Sequence, residues 1–241
     1  MTAAQGWALL AGEQRTTSSP AWLVPVDDFR RVRSARGVSA ALDVWDAAGW
    51  RTTEVRATRT PGGVIAYPGL NRRVWPFDPQ SQLFRCRLAA PGRYPLVLGA
   101  GGNFWADLVG IEFLAHPFDD DHPPEQVGQA VVVPMLPGPT YAFPPGTRVV
   151  RGTVRDGVTG RPVPNALVQA GGTSDPDLVP WTERSLSGPD GAFALALRFQ
   201  GVHEVGGEAF DLTATESPDR SGALHVHVTD EPLGLLVIEI S

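Results

Sequence analysis

The sequence predicts an all-β chain of two tandem β-sandwiches, with an extended N-terminal arm and a Pro-rich segment connecting the two. Three observations predict it. The 27 Gly and 23 Pro in 241 residues are more than long helices tolerate and favour short strands joined by tight turns. Hydrophobicity alternates with period two over many short runs, as in strands with one buried face. These runs fall into two groups separated by a stretch rich in Pro and acids, and the chain is long enough for two ordinary domains.

Residues 1–20 are small and polar and end in "TTSSP", the composition of an arm that orders only against a partner or the rest of the fold. The first β domain spans 21–116. Within it "VSAALDVWDAAGWRTTEVRATRTPGGVIAY" alternates around the turn sequences "DAAG" and "TPGG", giving at least three antiparallel strands. "LFRCRLA", "PGRYPLVL" and "ADLVGIEFLAH" supply three more. From 117 to 146 the chain reads as a stiff Pro-rich connection, interrupted only by "AVVVPM". The second domain, 147–241, holds seven short β runs from "RVVRGTVRD" to "GLLVIEIS", at the spacing of a sandwich. In "FALALRF", Phe193, Leu195, Leu197 and Phe199 share one face and predict which side meets the core.

A weak internal repeat links the halves. "RATRTPGGVIA" (56–66) and "RSLSGPDGAFA" (184–194) match at an offset of 128 residues, with Pro and Gly where a hairpin turn needs a fixed φ and a positive one. "GRYPLVL" and "EAFDLTA" follow the two turns as alternating strands, each with a leading aromatic. Shared turn chemistry alone would also produce such a match.

Composition excludes several functions. All 20 basic residues are Arg, and 26 acids give a net charge of -6, against a general nucleic-acid binder. Without Lys there is no phosphate-gripping P-loop, and "GAGGN" (99–103) has the wrong spacing for one. Cys86 is the single cysteine and sits in an alternating strand, so it reads as a buried residue rather than a nucleophile. No run approaches the length needed to span a bilayer and no signal peptide is read, which predicts a cytoplasmic protein.

Candidate chemistry is sparse. His225 and His227 in "HVH" fall on one strand face and are the best metal ligands, with His203, Glu204 or Asp230 to complete a site; as solvent-facing strand residues they need no metal. "DDDH" (119–122) lacks the spacing of an EF-hand loop and reads as an acidic turn. No nucleophile elbow is present. The prediction is therefore no catalytic residue, no cofactor and no metal. Trp45, Trp50, Trp75, Trp105 and Trp181 near turns, with Tyr141 and Phe143 in the Pro-rich segment, are the interface candidates, because Trp and Arg concentrate in protein interfaces. The turn-borne Trp would equally serve to cap sandwich ends.

"VRGTVRDGVTGRPVPNALVQA", then "GPDGAFALAL", "FDLTAT" and "LLVIEI", resemble the carboxypeptidase regulatory-like domain, a transthyretin-like β-sandwich. Gly152, Val154, Asp156, Thr159, Gly160, Pro162, Ala166 and Val168 match its first strand pair, and Asp190, Gly191 and Phe193 its later turn. The resemblance covers about 147–241 and implies fold without activity. Two catalytic relatives of that sandwich do not fit. Tyr67, Tyr94 and Tyr141 all precede the matching region, unlike the iron ligands of intradiol dioxygenases. The chain also ends "VIEIS" rather than in the tail of the hydroxyisourate hydrolases. "GVIAYPGL", "PGRYPLVL" and "PPGTRVVRGTVRD" together resemble accessory proteins of phage-tail-like contractile injection systems. That resemblance implies a non-enzymatic cap, tail-end or baseplate adaptor, a homo-oligomer or a partner of tube, sheath or cap proteins. The alternatives are a sugar- or peptide-binding module using Trp105 and Trp181, and a metal-dependent enzyme around His225 and His227.

Overall fold

The computed structural model describes residues 18–34, 37–73, 80–124, 128–173, 179–198, 202–204, 207–228 and 234–241. Most of the arm and Trp75 lie outside these residues. Among the described residues every regular element is a strand. The first half contributes β1 (Trp22–Asp27), β2 (Val32–Arg33), β3 (Ser39–Asp46), β4 (Gly49–Thr52), β5 (Thr58–Arg59), β6 (Ile65–Ala66), β7 (Gln82–Ala89), β8 (Arg93–Pro95), β9 (Ile111–Ala115) and β10 (Ala130–Pro137). The second half contributes β11 (Val149–Asp156), β12 (Leu167–Thr173), β13 (Pro180–Leu186), β14 (Ala192–Ala196), β15 (Val202–Glu204), β16 (Gly207–Ser217), β17 (Arg220–Val228) and β18 (Leu236–Ile240).

Each half is a sandwich of two sheets. In the first, β5-β6-β1-β10-β8 faces β4-β3-β7-β9. In the second, β14-β11-β18 faces β13-β12-β16, with β17 completing the far side of β16. Alternation decides which side chains enter. Leu42, Phe84, Cys86, Leu88, Val133 and Met135 are buried in the first core, and Val150, Val154, Phe193, Leu195, Leu212 and Ile238 in the second. Phe199 lies outside the described residues. Ala194 and Ala196 are buried as well, so β14 is covered on both faces. Arg151, the register partner of Ala194, donates to the Pro139 carbonyl and brings the connecting segment near that outer side.

The two sandwiches share one topology. In both, the first strand (β1, β11) is antiparallel to the strand after a Pro-bearing turn (β6, β14) and parallel to the last strand (β10, β18). The repeat read from sequence falls on that turn. Thr60 N–H donates to Val64 O and Gly63 N–H to Thr60 O, and Gly188 and Gly191 make the same two bonds to Ala192 and Gly188. Gly63 and Gly191 both take positive φ, at 79° and 74°. The turn after the first strand repeats too. Asp27 and Asp156 each accept, at the backbone carbonyl, an N–H four residues on, from Arg31 (φ 57°) and Gly160 (φ 67°). The supporting match of "GRYPLVL" with "EAFDLTA" is corrected. β8 is an extra strand on β10, and by its place in the sheet the counterpart of β16 is β7.

The Pro-rich connection is also corrected. Ala130–Pro137 is an inner strand in full parallel register with β1, from Trp22↔Ala130 to Asp27↔Met135. Pro134 and Pro137 disguise it, because Pro argues against an inner strand. Pro134 is tolerated at the point where its carbonyl accepts Leu96 N–H. The true connection is Gly138–Arg148, and it does not hold the halves apart. Leu96, Phe104 and Leu136 of the first half pack with Leu167 and Leu186 of the second. Arg184 binds Asp28 at 2.5 Å, and Asn165 Nδ2 donates to Ala106 O at 2.7 Å.

Candidate interaction surface

The residues of "VRGTVRDGVTGRPVPNALVQA" and "GPDGAF" set strands and turns. A side chain at Gly152 would lie 2.8 Å from the Phe193 ring, and one at Gly191 only 2.5 Å from Val154 O. Asp156 Oδ1 accepts the N–H of Val158 and Thr159 and the Thr159 hydroxyl, closing the turn that Gly160 completes. Ala166 and Val168 are fully buried.

The outer face of the β4-β3-β7-β9 sheet is of another kind. Inward Phe84, Cys86 and Leu88 leave Arg85 and Arg87 on the outside, and inward Leu42 leaves Asp43 and Trp45 there. Register brings them together: Asp43 stands opposite Arg85 on one side and Thr52 on the other. Its carboxylate is 2 % exposed although it lies on the outer face, because two guanidinium groups cover it. Arg87 donates from Nε at 2.7 Å and Nη2 at 2.8 Å, Arg85 from Nε at 3.2 Å and Nη2 at 2.9 Å, and the Thr52 hydroxyl at 2.8 Å. Hydrogen bonding by Arg87, joined by Arg85 and Thr52, overcomes burial and holds the Asp43 carboxyl at about 2, below its ordinary 3.8. The same pairing raises Arg87. Arg85 also lies 4.4 Å over the Trp50 ring, and Trp50 meets Trp45 edge to face at 5.3 Å. Trp45 is 45 % exposed, and Leu114 on β9, beside Leu83, is exposed as well. The face is a rigid Arg–Trp platform with an apolar flank, suited to a protein surface.

The other candidates separate. Trp105 is 39 % exposed on the loop before β9. Trp181 is corrected: it is buried in the second core, its ring packed on Gly172, the register partner whose missing side chain makes room. A ligand platform built on Trp105 and Trp181 therefore loses one member. Tyr141 is also corrected to a buried residue. Its hydroxyl donates to Asp27 at 2.9 Å, and burial and that carboxylate push the phenol up to about 12. Phe143, half-buried, packs on Tyr141 and on Phe29, over which Arg198 lies at 4.4 Å. This aromatic cluster joins the sandwiches.

Among the described residues no group of three His, Cys, Asp or Glu side chains could hold a metal. His225 and His227 share a face as predicted, with rings edge to face at 4.7 Å, and His225 Nδ1 lies 2.7 Å from Asp211 Oδ1. The side chains of His203 and Glu204, and Asp230, lie outside the described residues. Asp119 Oδ1 accepts from the N–H of Asp121 and His122, so "DDDH" is a self-capped turn. Cys86 is buried 3.2 Å from the Tyr67 hydroxyl, and burial first of all pushes its thiol up to about 11, far from a reactive thiolate. Among the described residues no helix is long and apolar enough to cross a membrane.

No protein-family model matches the chain, and no curated protein does. Similar solved structures include a streptococcal ancillary pilin, 14 % identical over 93 % of this chain and 62 % of that one, with a TM-score of 0.26. The chain thus spans less than two thirds of that pilin. Another is the shaft pilin SpaA from Lactobacillus rhamnosus GG, 10 % identical over 93 % of this chain and 98 % of that one, also with a TM-score of 0.26. At such TM-scores the likeness assigns neither a family nor a role.

Proposed function

We propose that the chain is a non-enzymatic structural protein of a multi-subunit assembly, and specifically a cap, tail-end or baseplate adaptor of a phage-tail-like contractile injection particle, built from cytoplasmic subunits. The observation that carries the assembly reading is the platform of Trp45, Trp50 and Arg85 held rigid by Asp43. A fixed Arg flanked by Trp is the composition of binding hot spots, and here the guanidinium is positioned before any partner arrives. The finer assignment to an injection particle rests on the resemblance of the "GVIAYPGL", "PGRYPLVL" and "PPGTRVVRGTVRD" segments, and the second sandwich serves as its rigid structural module.

The test is co-sedimentation with purified particles from the native cell, comparing the unmodified chain with Trp45→Ala and Trp50→Ala. Each truncation removes a contact worth about 2 kcal/mol at a hot spot, a loss of roughly 30-fold in affinity. An unmodified chain that stays in the supernatant removes the particle assignment. Co-sedimentation unaffected by either substitution removes the platform.

A further inference from the structure

The first sandwich is open along one side. Among the described residues β9 ends its sheet, and β7 is its one strand partner. β10 is covered by β8 only from Met135 to Pro137, with Pro134 bonded to Leu96 N–H, so among the described residues its first half has β1 on one edge and no strand on the other. Inward side chains along this seam are incompletely covered. Val133 and Met135 are buried, yet Val131, on the same face, is 44 % exposed, and Ile111 and Phe113 of β9 are only half-buried. Between the strands lies a groove of ≈ 440 Å³ lined by Ile111, Val131, Val133, Leu96, Leu98 and Leu108. A second depression of ≈ 640 Å³ is lined by Phe113 and Leu114 of β9 and by Gly128 and Gln129, the two residues before β10. Ser18, Ser19 and Pro20 line its mouth.

We propose that this seam is a docking site for an extended strand, and that the strand is Trp7–Ala11 of a neighbouring copy of the chain. An extended segment laid in the trough would bond to two free edges at once and cover the open core with alternate side chains. Residues 1–17 precede the seam's own mouth, and the first twelve carry no charged side chain. In "GWALLAG", Trp7, Leu9 and Ala11 fall on one face of a strand, matching a groove that is apolar on one side. Gly12–Thr17 span about 20 Å when extended, enough to cross to a neighbour. Delivery in trans is favoured by direction. β10 runs parallel to β1 with Ala130 beside Trp22, so a chain entering at Ser18 would have to double back to lie along Val131 of its own seam. Seam and strand are different surfaces, so the contact is head-to-tail and repeats from copy to copy.

The proposal rests on the assembly reading and names one surface for it. Its test uses two full-length variants, Trp7→Asp with Leu9→Asp in the strand and Val131→Asp in the seam, followed by size-exclusion chromatography with light scattering. The unmodified chain self-associates with increasing concentration, and each variant alone is a monomer. An equimolar mixture yields 1:1 dimers and nothing larger, because each pair holds one intact strand and one intact seam. A cooperative thermal melt of the Val131 variant, matching that of the unmodified chain, checks separately that it is folded. An unmodified chain that is monomeric, association that survives either change, or a mixture that stays monomeric overturns the proposal. Co-sedimentation with purified particles, measured separately on the same variants, reports on the assembly reading alone, since neither variant touches Trp45, Trp50 or Arg85.

Discussion

The two sandwiches have the same strand order and the same turns, yet they treat the seam beside their last strand in opposite ways. In the second sandwich β17 closes onto β18. A side chain at Gly222 would lie within van der Waals exclusion of the Glu239 carbonyl, 2.8 Å from Glu239 C and 3.3 Å from Ile240 Cα, so glycine alone allows the crossing. Ser241 N–H then reaches Ser221 O at 3.4 Å. In the first sandwich the corresponding strands β9 and β10 part, and Val131 and Val132 are left exposed. One topology thus yields a closed body and an open one. The difference lies in whether the penultimate strand brings a glycine to the edge of the last. The open body carries both candidate surfaces.

The largest effect should come from forcing the closed seam open. Gly222→Ala drives a methyl group into the Glu239–Ile240 backbone, and the second sandwich is expected to lose about 3 kcal/mol, the upper end of overpacking costs. Thermal melting would register it. Val131→Ala on the open seam removes a side chain that is nearly half in water and should change stability by less than ~1 kcal/mol. Equal losses for the two substitutions would show that the seams do not differ.

Next in size is the carboxylate clamp of the first sandwich. Asp43→Ala strips Arg85, Arg87 and Thr52 of their shared acceptor and should cost about 2 kcal/mol, the range of hydrogen bonds to a charged group. The sign of its pH dependence follows from the lowered pKa. The folded carboxyl titrates near 2 and the unfolded one near 3.8, so the stabilisation is complete above 3.8 and is lost as pH falls toward 2. Asp43→Asn should flatten that part of the acid unfolding curve. An unchanged curve would mean that the clamp adds nothing to stability.

Tyr141 tests whether the two bodies act as one. Tyr141→Phe keeps the aromatic cluster with Phe29 and Phe143 but removes the donor to Asp27, at an expected cost of about 1.5 kcal/mol. If the sandwiches melt as a unit, the transition shifts without splitting. A new low-temperature step assigned to the first sandwich would show that the junction couples them weakly.

The strands and the shared turns of the two sandwiches are legible in the sequence, the difference between their seams is not, and the gaps have physical causes. Alternation in "FRCRL" and "LHVHV" correctly assigned the inward side chains, because a strand's period is local. The Pro–Gly turn repeat was legible for the same reason. The Asp43 clamp was not, although Arg85 and Arg87 visibly share a face: their meeting with a carboxylate depends on register between strands more than 40 residues apart. β10 was hidden by Pro134 and Pro137, which suit a strand only where a neighbour happens to end. Trp181 was misplaced because nearness to a turn says nothing about which face is buried. The signal that mattered was Gly172, a vacancy on the facing strand.

The smallest expected effect concerns the turn that both sandwiches share. Gly160 and Arg31 hold equivalent positions with φ of 67° and 57°, so the first sandwich accepts there a conformation that ordinary residues resist. A side chain at Gly160 would meet nothing within 4 Å. Gly160→Ala therefore isolates the backbone penalty, about 1 kcal/mol, from any clash. Replacement by Asn, which tolerates the left-handed region, should recover part of it. At Arg31 the same strain is offset by the ion pair with Asp28 at 2.9 Å, so Arg31→Ala should cost less in high salt than in low. If Gly160→Ala is neutral by chemical denaturation, the glycine is not what shapes this turn, and the capping carboxylate of Asp156 must hold it alone.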